Sequence, residues 1–207
     1  MKISYAITVC NEFVELQALL PHILKYKRRE DEVVILFDES KGDEGVEEFL
    51  RAKSVNNAFA WHKDKFDGHF GDWKNKLTDL CNGDYIFQID ADEIPSKVLI
   101  QNLPDVLKMN EVDVILVPRI NTVEGLTQEH IQKWGWRVDE KGWINWPDPQ
   151  WRIYRKSDTI RWVNKVHEKI EGYETISNLP SLEEFALLHP KDIKRQEKQN
   201  EYYDTLV

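Results

Sequence analysis

Cysteine is scarce in this chain: Cys10 and Cys81 are the only two among 207 residues. Neither belongs to a Cys-x-x-Cys pair, and two are too few for a disulfide framework. Long apolar runs are missing as well. No stretch approaches the roughly 18 apolar residues of a membrane span, so no integral membrane segment is expected. Residues 1–5 run towards a strand without the apolar region and small-residue cleavage site of a signal peptide. Positive charge is in deficit, with 28 Lys and Arg against 37 Asp and Glu and a net charge of -9. That balance argues against nucleic acid or an anionic membrane as the main partner. The positive charges that do occur gather at 25–29 and 191–198. Neither the dinucleotide-binding nor the P-loop glycine fingerprint occurs. The expectation is a soluble, cytoplasmic protein.

What is present suffices for a substantial core: 41% apolar residues, with 8 Trp, 7 Tyr and 8 Phe. The absence of a linker favours one domain over 1–207, with a first half to about residue 110 and a second half from 111. Residues 3–9 and 33–37 are nearly continuous apolar runs, the mark of strands covered on both faces. Residues 58–61 are expected to form a short third strand and 85–90 a fourth. Helical spacing follows each strand. Asn11 is placed to cap the first helix, which Pro21 should bend or restart, and turns around 97–109 should break at Pro104. This β-α-β-α-β-α-β order predicts an α/β fold with a doubly wound, mostly parallel sheet. After another strand over 112–117, residues 118–150 read as a long irregular insertion. Residues 151–155 and 159–163 read as an antiparallel pair turning at Lys156-Ser157-Asp158, and 191–206 as a polar helical tail.

The most informative stretch is 84–93, where Tyr85, Phe87 and Ile89 alternate along a strand and Asp90, Asp92 and Glu93 follow within four positions. Carboxylates at the end of a buried strand are costly to desolvate and repel one another, so they persist most easily around a cation. A hard metal with room for phosphate oxygens suits them, the competing role being a solvated acidic turn. In doubly wound sheets ligands bind at the carboxyl ends of strands. Residues 8–12, 38–40 and 90–93 all fall at such ends.

The residues at those ends resemble the family 2 glycosyltransferases, nucleotide-sugar-dependent enzymes with the GT-A fold. Ile7-Thr8-Val9-Cys10-Asn11-Glu12 is similar to the family's first strand, which ends in Asn-Glu. Val34 to Ser40 is similar to its second, which ends in paired acids and Ser, although the usual intervening Gly is missing. Lys74-Asn75, Gly83-Asp84-Tyr85-Ile86 and Asp90-Ala91-Asp92 resemble its Arg-Asn, Gly-Asp/Glu-Tyr-Ile and Asp-x-Asp series, with Lys in place of Arg. In the second half, Arg152-Ile153-Tyr154-Arg155 and Val166-His167-Glu168 resemble a subset that carries a late His-Glu. Leu187-Leu188-His189-Pro190 is similar to the C-terminal histidine segment of many GT-A enzymes. The family's usual Glu-Asp base motif is not present in that form.

The resemblance implies sugar transfer, with inversion, from a nucleoside diphosphate sugar (a UDP-sugar in first place) to a hydroxyl of a glycan or other acceptor. It implies Mn2+ or Mg2+, with Asp92 as leading ligand, Asp90 binding metal, ribose or both, and His189 as the imidazole ligand. Asp38 is expected to accept from a base N–H, with Thr8, Asn11 and Glu12 lining the same pocket and Lys74 reaching a phosphate or the base. Glu168 is the first choice for general base and Asp148, in a Pro-flanked turn, the second. Most of the six tryptophans between 134 and 162 are expected in the core, with one or two from 134–146 forming an acceptor platform or lid. The chain also suits a module of a multi-domain transferase. The alternatives are a non-catalytic nucleotide-sugar or glycan-binding module and a sugar-nucleotide nucleotidyltransferase. The latter usually carries a Gly-rich basic loop where Cys10-Asn11-Glu12-Phe13 stands.

Overall fold

The computed structural model describes residues 1–56 and 58–204, with side chains through residue 201. In the first half the elements are β1 (Ile3–Val9), α1 (Phe13–Tyr26), β2 (Glu32–Asp38), α2 (Glu44–Lys53), β3 (Ala60–Asp64), α3 (Phe70–Leu80), β4 (Tyr85–Asp90), β5 (Ile94–Pro95) and α4 (Lys97–Met109). The second half adds β6 (Val114–Val117), β7 (Arg119–Glu124), α5 (Gln128–Trp134), β8 (Gln150–Arg155), β9 (Arg161–Val163), β10 (Lys169–Glu171), β11 (Ile176–Asn178), β12 (Leu187–Asp192) and α6 (Ile193–Asp204).

A seven-stranded sheet in the order β11-β6-β8-β4-β1-β2-β3 forms the centre. Strands β1 to β4 are mutually parallel, and β8 runs antiparallel to both β4 and β6. The alternation of each strand divides the core in two. Ile3, Tyr5 and Ile7 of β1 and Tyr85, Phe87 and Ile89 of β4 meet Leu16, Leu19 and Ile23 of α1 and Leu99, Leu103 and Leu107 of α4. On the other face Ala6, Val34, Leu36 and Ile86 meet Trp73 and Leu77 of α3, with Tyr154, Trp162 and Ile170. The parallel order and both covered faces agree with the sequence pattern.

Several local expectations need correction. α1 runs through Pro21 and α4 through Pro104 without a break. Pro104 is buried against the core, so packing outweighs one lost backbone hydrogen bond. Asn11 does not cap α1. Glu12 holds the cap position, and its carboxylate accepts the N–H of Cys10 at 2.8 Å and of Asn11 at 3.1 Å. The small antiparallel ribbon joins β9 to β10, not 151–155 to 159–163. β8 is instead drawn into the central sheet, where both its neighbours offer unpaired backbone edges. The stretch 118–150 is not irregular throughout: β7 and α5 lie in it, and β7 pairs with β12, which also pairs with β5, in a second, three-stranded sheet. Of the six tryptophans from 134 to 162, only Trp162 is fully buried, and the other five are half-buried. Lys191 and Asp192 belong to β12 rather than to a helical tail, and the end of the predicted tail, from 205, lies outside the described residues.

Candidate functional site

The parallel strands β1, β2 and β4 end at one edge of the sheet, in register: Thr8 stands opposite both Leu36 and Asp90. A tight turn follows β4, with Ala91 N–H donating to Thr8 O at 3.2 Å and Glu93 N–H to Asp90 O at 2.9 Å. Beside it opens a cleft with about 700 Å³ of empty space. Its walls include Thr8, Glu12, Asp38, Lys74, Asp90, Asp92 and Glu168. Residues spread over 160 positions of sequence are thus gathered there because three strand ends, α3 and the β9–β10 ribbon share that edge. Asn11 is exposed and does not line the cleft.

Asp38, at the end of β2, is buried. Its Oδ1 accepts from Ser40 N–H (2.8 Å), Ser40 Oγ (2.6 Å) and Phe66 N–H (3.1 Å). Its Oδ2 accepts from the weak thiol donor of Cys10, at 3.6 Å. One oxygen shapes the loop and the other faces the cleft, beside the rings of Phe66, Phe70 and Trp73. Burial, with Asp38 and Glu12 nearby, pushes the Cys10 thiol up to about 12, so it is no nucleophile at neutral pH.

Lys74 points from α3 into the same cleft. Its Nζ lies 2.5 Å from Glu168 Oε1 and 3.6 Å from Asp90 Oδ1, over the Trp162 ring at 4.6 Å. Such a site holds a cation by ion pairing and ring quadrupole together.

The two aspartates have different surroundings. Asp90 Oδ2 receives Arg152 Nη2 at 2.6 Å, and Thr8 Oγ1 donates to its Oδ1 at 3.2 Å. Arg152 also bonds both oxygens of Glu93, at 2.7 and 2.8 Å, and Arg119 reaches Glu93 at 3.0 Å. Arg119 continues to Asp148 at 2.9 Å, and Asn121 and Gln150 bond Asp148 at 2.7 and 2.9 Å. Asp90, Arg152, Glu93, Arg119 and Asp148 thus form a row of alternating charges beneath the turn. Burial raises the proton affinity of Glu93, but Arg152 and Arg119 outweigh it and hold its carboxyl down at about 2. The same competition, won by Arg152 and Lys74, depresses Asp90.

Asp92 faces β12, whose inward positions are Leu187, His189 and Lys191. Its Oδ2 lies 3.3 Å from His189 Nε2, 3.7 Å from Lys191 Nζ and 3.6 Å from Arg195 Nη2. Burial opposes ionisation of Asp92, yet His189 and Lys191 hold it well below the usual carboxylate range. His189 Nδ1 lies 2.7 Å from Asn121 Oδ1, directly across the β7–β12 register. Nδ1 meets a carbonyl oxygen and so carries an N–H, while Nε2 faces Asp92. Burial lowers the proton affinity of His189 and the Asp92 carboxylate partly offsets that. A carboxylate oxygen and an imidazole nitrogen 3.3 Å apart would suit one divalent cation once Nε2 gives up any proton to it. Among the described residues no group of three or more His, Cys, Asp or Glu forms a metal-holding cluster, and Asp90 is occupied by Arg152. Asp92 and His189 could supply two ligands to a cation, with phosphate and water needed for the rest.

The structure therefore brings Asp92 together with His189, and Glu168 with Lys74 and Asp90. Asp148 lies on a second cavity, across the Asp92–His189 wall, with Arg119, Asn121, His189 and Lys191. Sequence reasoning missed the roles of Glu93, Arg119, Lys191 and Arg195. For Arg152 a signal existed: an arginine inside an alternating strand needs a buried partner.

The family 2 glycosyl transferase model matches residues 4–174. No curated protein sequence matches the chain. Among solved structures the chain is similar to TarS 1–349 of S. aureus in complex with UDP-GlcNAc, with a TM-score of 0.62 and 17% identity over 92% of this chain and 59% of that one. It is similar to the same TarS fragment in complex with UDP, with a TM-score of 0.61 and 17% identity over 92% of this chain and 60% of that one. Against the longer TarS chain the TM-score is 0.61 at 16% identity, and the chain spans 92% of itself and 37% of TarS. The chain thus spans under two thirds of these relatives, and at such identity the likeness concerns the fold. With the sequence match covering most of its length, the chain belongs to glycosyl transferase family 2.

Proposed function

We propose that this domain moves a sugar, with inversion, from a nucleoside diphosphate sugar to an acceptor hydroxyl, in glycan assembly. The observation that carries this reading is the convergence of Asp38, Lys74, Asp90, Asp92 and Glu168 on one cleft. Asp38 Oδ2, free of strong donors, accepts a base N–H while its other oxygen stays tied to the loop. The lone oxygen acceptor suits the N–H of a uracil, and the UDP and UDP-GlcNAc bound by the TarS fragments support a UDP-sugar as donor. Thr8 and Glu12 line the wall beside it.

Asp92 and His189 would hold Mn2+ or Mg2+, which neutralises charge gathering on the leaving diphosphate when bound. Lys74 adds a cationic side chain to the same cleft. Glu168 is our choice for the group that takes the acceptor's proton: it lines the cleft, and only its Oε1 is engaged, by Lys74. Asp148 accepts hydrogen bonds from Arg119, Asn121 and Gln150, which fits a holding role better than proton transfer. In this reading the halves 1–110 and 111–207 are the donor and acceptor parts of one domain, which could serve within a longer transferase.

Calorimetric titration with UDP, GDP, CDP and dTDP, each with and without Mn2+, tests it. One nucleotide should bind, more tightly with metal, and Asp92→Ala should remove the metal's contribution. Glu168→Gln should keep nucleotide affinity within about twofold and slow transfer by about 10² to 10⁴. No nucleotide binding under any condition would replace this reading with a non-catalytic module.

A further inference from the structure

The basic C-terminal segment does not simply present its charge to solvent. Arg195, in the first turns of α6, reaches three carboxylates from two other parts of the molecule. Its Nη2 lies 3.2 Å from Glu12 Oε1 and 3.6 Å from Asp92 Oδ2, and its Nη1 pairs with Glu15. Asp192 fixes the start of the helix by accepting the Arg195 backbone N–H at 3.0 Å. Glu12 and Asp92 are both walls of the donor cleft, whereas Glu15 is not. Glu12 in turn holds the backbone N–H groups of Cys10 and Asn11, at the end of β1.

Two carboxylates facing one cleft repel each other, and each is removed from water. Arg195 is the cation that touches both. Lys191 contributes from below, 3.7 Å from Asp92, but its own hydrogen bond goes to Gln199 at 2.5 Å. Sequence separation shows how far this reaches: residue 195 joins residues 12 and 92, so the C-terminal helix sets the spacing of an N-terminal pocket.

We infer that Arg195 is a positioning residue of the donor site, a brace that holds the β1 end loop and the Asp92 turn at the spacing a nucleoside diphosphate requires. This rests on the proposed donor site. When a divalent cation is bound at Asp92 it supplies positive charge at the same place, so the brace matters most before metal arrives. Arg195 makes no contact with reacting atoms in this account.

The test measures UDP affinity by calorimetry, with and without saturating Mn2+, in the wild type, Arg195→Gln, Arg195→Lys and Glu15→Gln. Arg195→Gln should weaken metal-free UDP binding about tenfold, as for a half-buried ion pair between the exposed and buried extremes. The loss should shrink to about threefold or less with Mn2+. Arg195→Lys should recover part of the metal-free affinity, because it keeps the charge but not the fork. Glu15→Gln removes a contact that docks the helix without touching the cleft, and should leave UDP affinity within about twofold. Equal losses with and without metal, or an equal loss in Glu15→Gln, would mean that Arg195 merely docks the helix and would overturn the inference. If wild type binds no nucleotide, the donor-site reading itself fails; if wild type binds and Arg195→Gln binds equally well, only the brace fails.

Discussion

Beneath the acidic turn and along its rim, the same problem of buried negative charge is met in two ways. Below, Asp90 and Glu93 are tied to Arg152 and Arg119 by hydrogen bonds of 2.6 to 3.0 Å. A guanidinium cannot be deprotonated, and its fork fixes the carboxylates it meets. At the rim, Asp92 meets His189, Lys191 and Arg195 at 3.3 to 3.7 Å, through contacts that an arriving cation can replace. Two aspartates separated by one alanine therefore differ in their contacts: a short guanidinium bond fixes Asp90, and longer ion pairs hold Asp92. The Asp-x-Asp pattern alone treats them as equals.

The sharpest way to break this comparison is to remove the guanidinium below. Arg152→Met should cost about 3–5 kcal/mol of stability, because it leaves the buried Glu93, and Asp90 beside it, without their main partner. Urea unfolding followed by circular dichroism measures it, and a loss under about 1 kcal/mol would show that the row is not holding the turn. A second comparison sets the two aspartates against each other. Asp90→Asn should cost about 2 kcal/mol, the scale of its short charge-assisted bond to Arg152, and Asp92→Asn, whose ion pairs are all longer, about 1 kcal/mol. Equal costs would erase the distinction between scaffold and rim.

The most graded effect is the pH dependence. Glu93 has its carboxyl depressed to about 2 from an ordinary 4.5. A carboxylate whose folded value is depressed contributes stability that is complete above the unfolded value and is lost as pH falls towards the folded one. Unfolding free energy should therefore hold nearly level in this respect above pH 5 and fall between about pH 4.5 and 2, by at most about 1.4 kcal/mol per pH unit for this one group. Arg152→Met should flatten that fall. An unchanged acid limb in the variant would remove Glu93 as its source.

Much of this was readable along the chain, because it depends on neighbours in sequence. The buried runs of β1, β2 and β4 are covered on both faces, and continuous apolar stretches report that directly. Asp38, Asp90 and Asp92 were placed at strand ends by the same alternation. His189 was found by resemblance, but its orienting partner Asn121 was not, since the pair exists only through the β7–β12 register. The strand expected over 151–155 is β8, but its partner differs: a hairpin with 159–163 is the local choice, whereas β4 and β6 are its neighbours only after the sheet assembles. Pro21 and Pro104 misled in the other direction, because propensity is local and the packing that overrides it is not.

By itself, then, the sequence determined the order of elements, the two-sided burial of the parallel strands and the position of carboxylates at their ends. These follow from side-chain period and from the cost of placing charge in a core. Only the tertiary structure decided which cation answers which carboxylate: Arg152 for Asp90, Arg119 for Glu93 and Asp148, Lys74 for Glu168, and Arg195 for Glu12 and Asp92 together. Charge acts through space over a few ångströms, and the chain brings those ångströms together from residues that stand between 26 and 183 positions apart.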